Sequence, residues 1–89
     1  MWGVRDAYGA GFVEIVIWQP PEPVPPSEHP YKYRLAYVVN GKRIVGYDNE
    51  RGKGDHRHVF GRELGYRFTS PERLIADFLA DVEEVRRKK

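Results

Sequence analysis

Two histidines separated by one residue lie in a short polar segment of the sequence, residues 47–58. This segment also carries three acidic and three basic side chains and two glycines. Two imidazoles that titrate near neutral pH can remove one proton and deliver another, and nearby cations can stabilise a phosphorane. We therefore expect this segment to be the working surface of the protein, with acid–base chemistry on a phosphodiester as its first candidate reaction.

The residue types of this segment suggest a role for each of seven side chains. His56 and His58 would serve as base and acid, and Asp48 would orient one of the two rings. Both histidines lie in a stretch that looks too polar to belong to the core. The side chains predicted to bind phosphate or nucleic acid are Lys53, Arg57, Arg51 and Tyr47.

Other chemistries fit the same residues. A His-x-His pair on a strand, joined by Asp48 or Asp55, could form a two-histidine, one-carboxylate metal centre, although we expect no metal and no cofactor. The basic loop could also bind nucleic acid through phosphate contacts and stacking without cleaving it. A charged, solvated loop whose histidines bond to their neighbours would need no function at all.

A tight β-hairpin is expected to position this segment. Asn40-Gly41 tolerates the positive φ angles of a two-residue type I′ turn between two alternating apolar stretches. In the register set by such a turn, Tyr37 pairs with Ile44 and Tyr33 pairs with Asp48. The core face of the hairpin is then expected to consist of Tyr33, Leu35, Tyr37, Val39 and Ile44.

A single long helix is expected at the end of the chain. Ser70 can cap its first turn and Pro71 suits the first helical position, so the helix should run from Pro71 to about Arg87. Apolar residues then recur at helical spacing. They are Leu74, Ile75, Phe78, Leu79, Val82 and Val85.

The remaining sequence indicates an α+β fold in one domain, residues 1–89. Residues 12–18 are rich in β-branched and aromatic side chains, which is typical of a strand, and residues 8–11 should form the turn before it. Six of the seven prolines lie in residues 20–30, which we interpret as a connector. We predict an antiparallel sheet of four to five strands with the C-terminal helix packed on one face.

Charge and composition narrow the class of partner. Residues 32–67 have a net charge of +5, which suits a phosphate-bearing partner, and residues 86–89 form a basic tail. The chain has no cysteine, and no apolar run approaches the roughly 20 residues of a membrane span. We expect a cytoplasmic protein that does not enter a membrane.

The polar segment also resembles a known family. Tyr47-Asp-Asn-Glu50, followed by Gly52-Lys-Gly-Asp-His-Arg-His58, is similar to the signature of the TumE toxins, and residues 12–18, 31–35 and 66–70 resemble other parts of that family. The resemblance implies the toxin of a type II toxin–antitoxin system, neutralised by a helix-turn-helix antitoxin encoded by a neighbouring gene.

Together, the chemistry and the resemblance lead to one functional prediction. We predict a toxin that acts on RNA as a metal-independent endoribonuclease. The alternative is a non-catalytic module that binds nucleic acid or the antitoxin through the same basic, histidine-containing loop.

Overall fold

The computed structural model describes residues 2–22, 25–50 and 52–87, with only the backbone described at position 2. These residues form six strands and one helix, so the predicted α+β class is confirmed and the sheet has one strand more than our upper estimate. The elements are β1 (Trp2–Tyr8), β2 (Gly11–Trp18), β3 (Lys32–Val39), β4 (Lys42–Glu50), β5 (Gly54–Val59), β6 (Arg62–Gly65) and α1 (Pro71–Arg87).

The sheet is an antiparallel meander in which each strand pairs with the next one in the sequence, in the order β1 to β6. The predicted turn at residues 8–11 is confirmed, because Tyr8 pairs with Gly11 and Gly9 adopts a φ of 58°. Asn40 and Gly41 both have positive φ angles and connect β3 to β4, as their sequence indicated.

Helix α1 covers one face of the sheet and has the predicted bounds. The Ser70 side chain accepts a hydrogen bond from the Arg73 amide at 3.1 Å, which satisfies one of the amides that a helix start leaves unpaired. None of the helices among the described residues is both long and apolar enough to cross a membrane. The core between helix and sheet contains Val13, Ile15, Ile17, Tyr33, Leu35, Tyr37, Val45, Tyr47, Leu74, Phe78, Val82 and Val85.

A β-bulge in β4 changes the register of the central hairpin. Val38 pairs with Arg43 as the turn requires, but Tyr37 pairs with Val45, so Ile44 is an extra residue in β4. The predicted pairing of Tyr37 with Ile44 is therefore wrong. A bulge places two residues of one strand opposite one residue of its partner, which a two-residue turn alone does not reveal.

The extra residue inverts the remainder of β4. Val45 and Tyr47 are buried under the helix instead of facing away from it, and Asp48 lies on the uncovered face. Asp48 pairs with Arg34. The predicted pairing of Asp48 with Tyr33 is therefore wrong. Because side chains alternate along a strand, a shift of one residue exchanges the two faces.

The proline-rich connector has no helix or strand among its described residues, 19–22 and 25–31. Its carbonyl at Pro25 accepts a hydrogen bond from the Gly52 amide at 2.9 Å, so the connector lies against the turn between β4 and β5. Of the basic tail, Arg86 and Arg87 belong to α1, while positions 88 and 89 lie outside the described residues.

Candidate functional site: an aspartate and two histidines on the uncovered face

Alternation along β5 places the two histidines on the same face of the sheet. His56 and His58 lie on the face opposite the helix, and their ring centroids are 5.1 Å apart. Arg57, between them, projects towards the helix. This arrangement agrees with the period of two in a strand.

The bulge in β4 brings Asp48 beside these histidines. Asp48 pairs with His56 across the two strands, and its Oδ1 atom lies 2.5 Å from Nε2 of His56. One ligand atom from each of Asp48, His56 and His58 lies within 4.8 Å of the others. Among the described residues this is the one group of three side chains suited to hold a metal ion.

His56 is buried, contrary to our expectation, with a relative exposure of 4%. Its Nδ1 atom lies 3.2 Å from the Gly54 carbonyl oxygen. A carbonyl oxygen only accepts, so Nδ1 must carry the hydrogen, and in the neutral ring Nε2 carries a lone pair. Nε2 of His56 and Oδ1 of Asp48 are both buried and lack a hydrogen bond of good geometry despite their proximity.

His58 is the more accessible of the two histidines. Its pKa is lowered from the ordinary histidine value, first by burial and then by electrostatic interaction with Arg43 and His56. Arg43 lies over Gly46, where a Cβ atom would come within 2.8 Å of the Arg43 side chain. Arg43 is therefore a member of this site that the sequence analysis missed, and a glycine inside a strand was the signal for it.

The predicted phosphate-binding residues are divided between several places. Lys53 is half-exposed on the turn before β5, and its Nζ lies 3.2 Å from Oε2 of Glu63. That lysine lowers the pKa of the Glu63 carboxyl. Arg51 lies outside the described residues.

Tyr47 and Arg57 are separated from the histidines by the sheet itself. Both side chains contact Asp81 of α1, Tyr47 through its hydroxyl at 2.5 Å and Arg57 through Nη1 at 2.9 Å. Burial, and then the bond to Asp81, raise the pKa of Tyr47. These two residues join helix to sheet on the face opposite the histidines, so the structure does not bring them together with the histidine pair.

A second polar cluster lies on the helix side and was not predicted. Asp55 accepts hydrogen bonds from the Tyr33 hydroxyl at 3.0 Å, from Nε2 of His29 at 2.6 Å, and from the Ser27 hydroxyl. Asn49 is fully buried and also binds this connector, through the Tyr31 carbonyl at 2.9 Å. No local sequence pattern indicates these contacts, because they depend on the path of the connector.

The family signature is thus divided by strand alternation. Within Tyr47-Asp48-Asn49 and Asp55-His56-Arg57-His58, the members that face the helix hold the fold together, and Asp48, His56 and His58 remain on the uncovered face. One face of the segment therefore stabilises the fold, and the other is a candidate reactive surface.

Comparison with known proteins agrees with the resemblance seen in the sequence. The family model described as Toxin TumE matches residues 3–86. No curated protein and no solved structure matches the chain. The family match covers nearly the whole chain, so the protein belongs to the TumE family of toxins, and this membership implies an antitoxin partner.

Proposed function

We propose that the protein cleaves RNA as the toxin of a type II toxin–antitoxin system, without a metal, at the uncovered face of β4 and β5. The observation that supports this proposal most strongly is the grouping of Asp48, His56 and His58 within 4.8 Å on that face. Of two imidazoles this close together, one can remove the proton of the attacking hydroxyl and the other can protonate the leaving oxygen of the same phosphodiester.

The proposed reaction is attack by a ribose 2′-hydroxyl on the adjacent phosphorus. His56 removes the 2′-hydroxyl proton through its Nε2 lone pair as the 2′-oxygen–phosphorus bond forms. His58, the more accessible ring, delivers a proton to the 5′-oxygen as the phosphorus–5′-oxygen bond breaks. The products are a 2′,3′-cyclic phosphate and a free 5′-hydroxyl, so atoms and protons balance.

Asp48 is proposed to position His56 and to stabilise its protonated form. Its carboxylate lies 2.5 Å from Nε2, and Oε1 of Glu50 lies 3.9 Å from the same atom. Nδ1 is held at the Gly54 carbonyl, so the ring orientation is fixed from both sides. Arg43 at the edge of the cluster and Lys53 on the neighbouring turn are proposed to bind the phosphate.

The partner proposed for this toxin is a helix-turn-helix antitoxin encoded by a neighbouring gene, and its proposed location is the cytoplasm. The support for both proposals is family membership together with the sequence composition described above. Co-expression of the adjacent gene followed by co-purification tests the partner. Recovery of the toxin without that gene product would contradict it.

The reaction is tested by incubating the purified protein with total RNA, with and without a chelator. We expect cleavage in both conditions, with 2′,3′-cyclic phosphate ends. His58→Gln should abolish cleavage, whereas His29→Gln, a matched histidine change outside the cluster, should retain it. RNA that is bound but never cut would favour the non-catalytic alternative, and the same loop would then serve as a binding surface.

A further inference from the structure

We infer that Asp48, His56 and His58 form a binding site for a divalent transition-metal ion, and that an ion bound there turns off RNA cleavage. The regulatory part of this inference depends on the function proposed above, whereas the binding part does not. The ion is identified by its chemistry as one that prefers imidazole nitrogen and carboxylate oxygen, of which Zn²⁺ is the natural probe.

The first argument concerns the hydrogen atoms of His56. Its Nδ1–H is directed to the Gly54 carbonyl at 3.2 Å, so the Nε2 lone pair of the neutral ring faces Oδ1 of Asp48 at 2.5 Å. At this distance a positive charge must lie with the ring nitrogen and the carboxylate oxygen, and either a proton on Nε2 or a bound metal ion can supply it. Neither buried atom has a hydrogen bond of good geometry, and both are directed into the cluster.

The second argument concerns the surroundings of the proposed ligands. Metal-binding histidines usually donate their other ring N–H to a carbonyl or carboxylate, which fixes the ring and its tautomer. The Gly54 carbonyl already supplies this outer contact to His56. His56 is also 4% exposed, so its ring needs little further ordering or desolvation when an ion binds.

The third argument concerns distances. Zinc–ligand bonds of 2.0–2.2 Å in a tetrahedron place neighbouring ligand atoms about 3.3 Å apart. The three atoms of the cluster lie within 4.8 Å, and the closest pair would open slightly from 2.5 Å. Oε1 of Glu50, 3.9 Å from Nε2 of His56, is a further carboxylate oxygen close to this group.

Metal binding and acid–base catalysis compete for the same electrons. A metal ion bonds to the imidazole lone pair that would otherwise accept or deliver the substrate proton. An ion held by His56 and His58 therefore removes both proposed catalytic groups together. Cleavage is expected to fall in proportion to the fraction of protein that has bound the ion.

The binding part is tested on the full chain after treatment with a chelator and its removal. Zn²⁺ is titrated by calorimetry, and Co²⁺ is followed by visible absorption as a probe of tetrahedral ligands. We expect one ion per chain. Asp48→Asn, His56→Gln and His58→Gln should each weaken binding by about 100-fold or more, above the effect typical of outer contacts. His29→Gln should bind as the unaltered protein does, and circular dichroism confirms that each variant is folded.

The regulatory part is tested by measuring RNA cleavage across the same Zn²⁺ titration. Half-inhibition at the ion concentration that half-fills the calorimetric site supports the inference, as does recovery on adding chelator. Absence of binding, or binding unaffected by all three substitutions, overturns the site itself. Cleavage that requires the ion overturns its inhibitory role. If zinc binds at the three residues but RNA is never cut, the site is supported while the proposed function and its regulation both fail.

Discussion

Two histidine–aspartate pairs in this protein have almost the same separation and opposite hydrogen-bonding states. Nε2 of His29 lies 2.6 Å from Asp55, and Nε2 of His56 lies 2.5 Å from Asp48. The first contact is a normal hydrogen bond, whereas the second leaves both atoms without a satisfactory partner. The distance between a histidine and an aspartate therefore does not reveal what the pair can do.

The backbone partner of the other ring nitrogen explains the difference. In His29, Nδ1 accepts from the Tyr31 amide at 3.2 Å, so Nε2 carries the hydrogen and donates it to the carboxylate. In His56, Nδ1 donates to the Gly54 carbonyl, so Nε2 carries the lone pair. An amide in one case and a carbonyl in the other select opposite tautomers. The first pair stabilises the fold, and the second is available for a proton or an ion.

The largest expected difference between the two pairs is in catalysis. His56→Gln should slow RNA cleavage by a factor of about 10² to 10⁴, the range for loss of a proton-transfer group. His29→Gln should leave the cleavage rate of folded protein within about threefold, because it removes no group of the site. Single-turnover cleavage of a labelled RNA measures both. Equal losses in the two variants would remove the functional distinction between the pairs.

The largest expected effect on the free energy of unfolding comes from removing a side chain that packs helix α1 against the sheet. Phe78→Ala is expected to lower the free energy of unfolding by about 3–5 kcal/mol, because it leaves a cavity in a small core. Phe78 is fully buried and its ring meets that of Tyr47 edge to face. Urea denaturation measures the change, and Ala76→Gly, at an exposed helix position, is the control, with a cost of about 1 kcal/mol.

Replacing each aspartate by asparagine should change stability in opposite directions. Asp55→Asn is expected to lower the free energy of unfolding by about 1–3 kcal/mol. The Asn side-chain NH2 group would replace an oxygen that now accepts hydrogen bonds, and it would face donors instead of acceptors. Asp48→Asn is expected to gain about 0.5–1.5 kcal/mol, because its amide can donate to the Nε2 lone pair of His56. Both unfolding free energies come from denaturant titrations. A destabilised Asp48→Asn variant would show that His56 is protonated at Nε2 in the folded protein.

The smallest effects should distinguish the two faces of the sheet. Lys53→Ala is expected to reduce the salt dependence of single-stranded RNA binding by about 0.7 in the log–log slope, since one phosphate contact is lost. Arg57→Ala should leave that slope unchanged, because its guanidinium is engaged with Asp81. Fluorescence anisotropy at several salt concentrations measures both. A reduced slope for Arg57→Ala would place RNA on the helix side instead.

Features set by short-range sequence signals were predictable. The capping serine and proline and the apolar spacing fixed the bounds of α1, and the Asn40-Gly41 dipeptide fixed the turn before β4. Strand alternation was enough to place His56 and His58 on one face and Arg57 on the other.

Features that depend on distant contacts were not predictable. The bulge lies within an apolar pair, Ile44-Val45, and either residue of this pair could have entered the core. Only the pairing of the assembled sheet determines which of the two does so. The binding of Arg57 to Asp81 depends on how the helix docks, and the His29–Asp55 pair depends on where the connector returns. The local pattern contains neither piece of information.

The sequential strand order has a consequence for how the protein is made. Each strand pairs with its predecessor, so the sheet can grow by successive hairpins as the chain leaves the ribosome. The apolar face, including Tyr33 and Leu35, stays uncovered until α1, which follows all six strands in the sequence, has emerged. The strands that carry the histidines precede the helix, so the reactive face can be assembled before the core is closed. Emergence of the helix, rather than strand pairing, is then the event that closes the core.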